Sequence, residues 1–274
     1  MYVSPMLLHK SDQPFNDSSY ITELKLDGIR LTLSKFNGIT KLYTRHKNEV
    51  TSKFPELLIL DIPDNTVLDG EIIVTDNQGK PDFEAMMERF MSRSSESIIS
   101  YVVFDVIYYK NEKVTNRSLL ERKEILNQII KIDTPLLTKT KWIESNGIAY
   151  FNLVKQQALE GIVLKKSNST YQIDKRSYDW LKVINYQYET VYVTGLRKDK
   201  FGALLSFEDG NYAGILEFMP PSERSKLYRI QKELKIREDD KFIYLDPQLK
   251  LTVKYRNLTK KGLLRIPSFH KWAS

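Results

Sequence analysis

The sequence predicts an α+β fold in two units, a large mixed body followed by a small basic barrel. Three observations carry that prediction. The chain has 274 residues, enough for one large domain or two smaller ones with separate cores. Strand-like and helix-like runs alternate up to Tyr188, and beyond it come five short strand-like runs and one helical stretch. Residues 1–190 carry 25 basic and 25 acidic side chains, whereas residues 191–274 carry 17 and 10, so the whole net charge of +7 lies in the last third.

The elements follow in chain order. Arg30–Leu33 alternates, Asn37-Gly38 supplies a tight-turn signal and Thr40–Thr44 returns, which together predict a hairpin. Val67–Val74 reads as a strand closed by a turn at Asn77–Gly79. Phe83, Met86, Met87, Phe90 and Met91 recur at helical spacing, a stripe expected to be core. Tyr101–Tyr109 and Gly161–Lys165 are apolar enough to be buried strands, and Ser118-x-x-Glu121 is a capping box opening a helix through Ile130. A short hinge within Ile184–Glu189 separates the units, residues 1–186 and 187–274. The second holds strands at Val191–Leu196, Ala203–Phe207, Gly214–Phe218, Lys241–Leu245 and Leu249–Tyr255, with a helix over Ser222–Leu234. Five strands and one helix in a basic unit fit a five-stranded nucleic-acid-binding barrel. Its final 31 residues hold seven basic groups against Asp246 alone, the footprint of a tail that meets a polyanion; a solvated basic face is the alternative.

Composition excludes several classes. With 41% hydrophobic, 28% charged and 11% aromatic residues, the chain matches an ordinary soluble globular protein. It has no Cys, which removes a disulfide framework, a thiolate zinc site and a cysteine nucleophile. Met1–Lys10 lacks the pattern of a signal peptide, and no run approaches the ~20 apolar residues of a membrane helix. A cytoplasmic monomer is the expectation.

The sharpest local feature is Glu23-Leu24-Lys25-Leu26-Asp27-Gly28-Ile29-Arg30. On a strand, residues 23, 25 and 27 would share a face, so that two carboxylates flank one lysine. Gly28 would let the backbone turn close to a ligand. A salt-bridged surface ladder is the plainer alternative. The downstream set is Thr44-Arg45-His46, Phe54-Pro55-Glu56-Leu57, Asp69-Gly70-Glu71, Phe104-Asp105, Glu160-Gly161-Ile162-Val163-Leu164-Lys165 and Trp180-Leu181-Lys182. With these motifs in this order the sequence resembles the ATP-dependent DNA ligases, within the covalent nucleotidyltransferases. Ser4-Pro5-Met6-Leu7 is similar to how such domains open, and Thr259–Phe269 to how the ligase domain of bacterial end-joining enzymes ends.

The resemblance implies an antiparallel-sheet, ATP-grasp-like nucleotidyltransferase domain followed by an OB-fold. It implies ATP and Mg²⁺ (or Mn²⁺) as cofactors and nicked double-stranded DNA as partner. It assigns Lys25 to attack on the α-phosphorus of ATP. A lysine of ordinary pKa is neutral in only about one molecule in 2,500 at pH 7, so such a nucleophile needs nearby cations or loss of solvent. A bound Mg²⁺ and Lys182 are the candidate cations. Glu71 is placed on the ribose or metal side and Glu160 on the metal, where one or two carboxylates plus substrate phosphates suffice. A hairpin-turn carboxylate and a helix-terminal one are the ordinary alternatives. Phe104 would stack on adenine, although by composition alone it is core. Glu23 would read the base, Arg30 the sugar and Arg45 the 5′-phosphate of the nick. Asp27 would orient Lys25 or a metal-bound water.

Two departures stand out. Relatives commonly read Trp-x-Lys-x-Lys, but here Ile184 fills the last place; Lys165, Arg265 or Lys271 are the candidates to supply the lost charge. The Arg-x-Asp-Lys ending that orients pyrophosphate in many relatives is also absent. An RNA ligase or a guanylyl-transferring capping enzyme shares the lysine motif, and a nucleic-acid-binding protein with a decayed site is the rival from another class. Trp180-Leu181-Lys182 and the Arg265–Phe269 ending favour the DNA ligase.

Overall fold

The computed structural model describes residues 1–92 and 95–273, and the chain divides into two units, Met1–Asn185 and Tyr186–Ser274. The first runs through β1 (Leu7–Lys10), β2 (Asn16–Leu24), β3 (Ile29–Phe36), β4 (Ile39–Thr44) and β5 (Thr66–Val74). It continues with α1 (Phe83–Met91), β6 (Ile99–Tyr109), β7 (Glu112–Lys113), α2 (Leu119–Ile129) and β8 (Leu137–Lys139). It ends with β9 (Trp142–Asn146), α3 (Gly147–Gln156), β10 (Gly161–Lys166) and β11 (Arg176–Ile184).

Two sheets are built from these strands. One has the order β1-β11-β10-β2-β9, and the other β4-β3-β5-β6-β7 with β8 on β6. Pairing is antiparallel except at β1–β11 and β6–β8. Alternation assigns the faces. On β3 and β5, Leu31, Leu33, Leu68, Ile72 and Val74 pack outward against Met86 of α1 and Ile125, Leu126 and Ile129 of α2. On β10 and β11, Ile162, Leu164 and Val183 pack against Phe151 and Val154 of α3. The remaining faces meet in a third cluster, Ile21 and Trp180 from one sheet with Val67 and Ile107 from the other. Both sheets are therefore covered on both sides, and the polar side chains of the inner faces are enclosed between them.

Local chemistry explains the joints. The β3–β4 hairpin pairs Phe36 with Ile39, leaving Asn37 and Gly38 as a two-residue loop with positive φ at both positions (52° and 72°). The Asp82 side chain accepts from Ala85 N at the start of α1, and Ser118 and Glu121 form the capping box of α2. The methionine stripe is only in part core: Met86 is fully buried, but Met91 is 73% exposed at the last turn of α1.

The second unit holds β12 (Gln187–Arg197), β13 (Ala203–Ser206), β14 (Tyr212–Leu216), α4 (Pro221–Leu234), β15 (Lys235–Glu238), β16 (Phe242–Leu245), β17 (Lys250–Tyr255) and β18 (Ser268–Trp272). They form one seven-stranded sheet rather than the five strands expected, because β15 and β18 also pair. Long β12 organises it: β13 lies along one edge, and β17 and then β16 along the other. Val191, Val193, Leu205, Leu216, Leu251 and Val253 fill its interior with Leu227 of α4.

Candidate active site

Lys25 does not lie on a strand. β2 stops at Leu24, and Lys25 begins the loop to β3, tethered by its N–H donating to Gly161 O at 3.0 Å. The expected strand face shared by residues 23, 25 and 27 is therefore corrected. Lys25 Nζ instead donates to Glu160 Oε2 at 2.7 Å, and Glu160, just before β10, is largely buried. At Gly28 the backbone comes close to β5: a Cβ there would collide with Ile72 O and Ile73 Cγ2. That close approach brings the lysine loop against the strand that carries Asp69 and Glu71.

Register then assembles the inner face. Arg30 lies opposite Glu71, and Thr32 opposite Asp69. The Arg30 guanidinium forks onto Asp69, with Nε to Oδ1 at 3.0 Å and Nη2 to Oδ2 at 2.6 Å. Tyr171 Oη donates to the same Oδ2 at 2.6 Å, so Asp69 is held on two sides. Burial alone would lower the Arg30 pKa, but Asp69 outweighs it and the group is held more firmly protonated than usual. Glu71 has no such fork. Burial pushes its carboxyl up to about 8, against Lys25 and Arg30, with Glu160 and Asp69 repelling the charge further. Lys25, Arg30, Asp69, Glu71 and Glu160 thus form one electrostatic group.

A second group lies beside it. β5–β6 pairing steps from Asp69↔Asp105 to Gly70↔Val103, which leaves Phe104 as the extra residue of a bulge. The bulge turns the half-buried ring inward, with the Arg30 guanidinium 5.3 Å and Lys165 Nζ 4.6 Å from its centre. Lys165, on β10, is almost fully buried, 2.7 Å from Glu23 Oε2 but off the hydrogen-bond direction, and 4.2 Å from the Trp180 ring. Burial drives its pKa down to about 8, with Glu23 opposing. The other oxygen of Glu23 accepts from Lys123 of α2, whose Nζ also donates to Phe104 O at 2.9 Å. Behind these, Arg122 forks onto Asp105 through Nε (2.7 Å) and Nη2 (2.9 Å). Burial would raise the Asp105 carboxyl, yet the Arg122 charge and hydrogen bonds hold it below its ordinary value.

Of the residues expected from sequence, Lys25, Arg30, Glu71 and Glu160 are brought together, and Glu23, Phe104 and Lys165 lie beside them on the same inner faces. Lys182 is half-buried on β11 opposite Val163, in a row with Glu23 across the sheet. Ile184, two residues on, is 7% exposed. Arg45 is not gathered in: it is exposed in the turn after β4, near His46. Sequence reasoning assigned no role to Asp69, Tyr171, Lys123, Arg122 or Asp105. Asp69 and Asp105 sat inside quoted motifs, an Arg-Lys pair inside a capped helix was the only sign of Arg122 and Lys123, and Tyr171 carried no signal.

Among the described residues no three His, Cys, Asp or Glu side chains cluster as a self-sufficient metal cage. Glu71 and Glu160 nevertheless fit a cation that keeps substrate phosphates as ligands, because Mg²⁺ takes only one or two carboxylates in such sites.

The model of the ATP dependent DNA ligase domain matches residues 5–183. The SPbeta prophage-derived DNA ligase-like protein of Bacillus subtilis is 56% identical over 272 residues, covering 99% of both chains. The multifunctional non-homologous end joining DNA repair protein of Mycobacterium tuberculosis is 24% identical over 97% of this chain, which spans 38% of that protein. A solved structure of a Lig E DNA ligase superposes with a TM-score of 0.72 at 17% identity, covering 100% of each chain, and so shares the fold. The chain belongs to the family of ATP-dependent DNA ligase domains.

Proposed function

We propose that the chain is a two-domain ligase that seals 5′-phosphate/3′-hydroxyl nicks in duplex DNA, with residues 1–186 as the adenylation domain and 187–274 as an OB-fold domain. The observation that carries this reading is the convergence of Lys25, Glu160, Glu71 and Arg30 from four separate segments onto one inter-sheet site. The long β12, paired with β13 on one edge and β17 and β16 on the other, supports the barrel assignment.

Lys25 Nζ attacks the α-phosphorus of ATP, forming a lysine–AMP bond as pyrophosphate leaves. The AMP then passes to the 5′-phosphate of the nick and releases Lys25, and the 3′-hydroxyl displaces AMP to close the strand. Positioning and charge neutralisation dominate such phosphoryl chemistry. Glu160 holds the Lys25 ammonium in place before reaction, and the pair must part for the amine to attack. Glu71 and Glu160 would hold Mg²⁺, which when bound supplies positive charge against the phosphates. Arg30, fixed by Asp69 and Tyr171, presents a rigid cation to the nucleotide sugar. Phe104, aimed inward by its bulge, offers a ring for adenine. Lys165 and Lys182 would supply further charge, and Arg45, exposed in the turn after β4, would meet the 5′-phosphate of the DNA.

The test is covalent labelling. Incubated with α-labelled ATP and Mg²⁺ and then denatured, the chain should retain acid-labile label that Lys25→Ala abolishes. Lys25→Arg should also fail, since arginine stays protonated. Equal labelling of Lys25→Ala would end the assignment, and a preference for GTP would favour the capping reading.

A further inference from the structure

One face of the second unit carries side chains with no part in the cluster around Lys25. Along β12, Val191 and Val193 turn into the core, while Tyr188, Thr190 and Tyr192 alternate to the other side. On β17, Leu251, Val253 and Tyr255 pack inward, leaving Lys250, Thr252 and Lys254 on the outer face. The register sets Tyr188 opposite Lys254, Thr190 opposite Thr252 and Tyr192 opposite Lys250. β18 extends the face with Ser268 and Lys271, paired with Lys254 and Thr252, and between them a bulge re-aims His270.

Aromatic rings and cations interleave across this face. The His270 ring lies 4.9 Å from that of Tyr188, which is 55% exposed. Lys250 Nζ is 5.0 Å from the Tyr192 ring centre. Lys254 Nζ and the Arg256 guanidinium are 5.1 and 5.4 Å from that of Tyr186. None of these outward positions is acidic. Glu189 lies opposite Val253, and Glu208 acts on Lys250.

We infer that this face is a stacking platform for unpaired nucleotides of the DNA substrate. The inference rests on the reading that DNA is the partner. Lysines and an arginine alone would fit any phosphate backbone, duplex or single. The exposed Tyr188 ring, with the half-buried Tyr192 and Tyr186 rings set among the cations, adds something the interior of a duplex cannot use, because paired bases there have both faces covered by their neighbours. An unpaired base has a free π-face, and stacking on an aromatic side chain with cations tracking the phosphates is the common physics of single-strand binding. Tyr188 and Tyr192 lie four residues apart on one strand, about 13 Å by strand rise, enough to engage more than one base. The occupant is thus the unpaired stretch of a gapped or overhanging end.

The test compares DNAs on the full chain by fluorescence anisotropy, with labelled oligothymidylate against an intact duplex of equal length. Tyr188→Ala should weaken oligothymidylate binding about 5- to 100-fold and leave duplex affinity within twofold, while Tyr188→Phe should retain binding. Lys254→Gln should make the slope of log affinity against log salt on oligothymidylate shallower by about 0.7. Equal losses on both DNAs, or none on oligothymidylate, would overturn the platform. Lysine–AMP labelling of the unaltered chain reads the other site separately. Failed labelling with intact ring-dependent binding sinks the ligase reading alone, and the reverse sinks the platform alone.

Discussion

Glu71 makes the site's electrostatics measurable as stability. Its carboxyl is half-buried and pushed up to about 8 from an ordinary 4.5, mainly by burial and further by Glu160 and Asp69, with Lys25 and Arg30 resisting. In the unfolded chain Glu71 ionises near 4.5, but in the folded chain it keeps its proton until about 8. Between those values the folded state binds one more proton. The stability linked to Glu71 is therefore fully present below 4.5 and lost as pH rises through about 8. One proton corresponds to a slope of about 1.4 kcal/mol per pH unit, so about 2.7 kcal/mol disappears over two units. Glu71→Gln removes the titration and leaves the shape. Urea denaturation of both proteins without divalent cations, at pH 5.5, 6.5 and 7.5, should show the variant gaining on the parent by that amount. The series stops short of 8 because Lys165, pushed down to about 8, adds a contribution of opposite slope between there and its ordinary 10.5. Parallel curves for the two proteins would refute the raised pKa and the burial that causes it.

Other perturbations follow from the same geometry. Gly28→Ala would drive a Cβ into the β5 backbone at Ile72, and should cost about 1–3 kcal/mol by urea midpoint while displacing Lys25; an unchanged midpoint would show that the loop can retreat. Glu23→Gln strands the buried cations Lys123 and Lys165 and should cost about 3–5 kcal/mol, part of which Glu23→Gln with Lys123→Met should recover. A double variant as unstable as the single one would show that charge is not the cause. Ile184→Lys puts a lysine where the resemblance leads one to expect it, two residues after Lys182, and lowers stability by burying an ammonium where Ile184 is 7% exposed. Single-turnover lysine–AMP formation, compared at matched folded fraction, should be faster than in the parent; an equal rate would leave Lys182 and Lys165 as the sufficient cations.

Much of the fold was legible because it is local. Asn37-Gly38 can occupy the positive-φ turn of β3–β4, and Ser118 with Glu121 can close a capping box, without help from distant residues. The elements that escaped notice lack such signals. β2 opens on Asn16-Asp17-Ser18-Ser19, a loop-like composition, and is a strand because β9 and β10 flank it. All four residues of β15 are exposed and three of them are charged, so only its pairing with β16 makes it a strand. The Asn146 side chain does not cap α3; Asn16 Oδ1 from β2 accepts from Ile148 N instead, and Phe151 and Val154 hold the helix against the sheet. Tertiary pairing decided these cases, and composition pointed elsewhere.

The candidate site divides along the same line. Lys25, Glu71 and Glu160 could be named from motifs, but their partners could not, because an ion pair is a property of register. Arg30 meets Asp69 only because β3 and β5 align Arg30 with Glu71 and so bring the neighbouring carboxylate within reach of the guanidinium. Glu23 reads in sequence as a flank of Lys25, yet it precedes the end of β2 while Lys25 follows it, and the two side chains diverge to Lys123 and Glu160. This divergence has a chemical consequence. With Glu23 occupied by Lys123 and Lys165, Glu160 is the carboxylate in contact with Lys25, and Glu160 is also a candidate cation ligand. In the proposed mechanism Glu160 is then the hydrogen-bonded contact that would have to give way for Lys25 to react, and the buried lysines keep Glu23 from adding another.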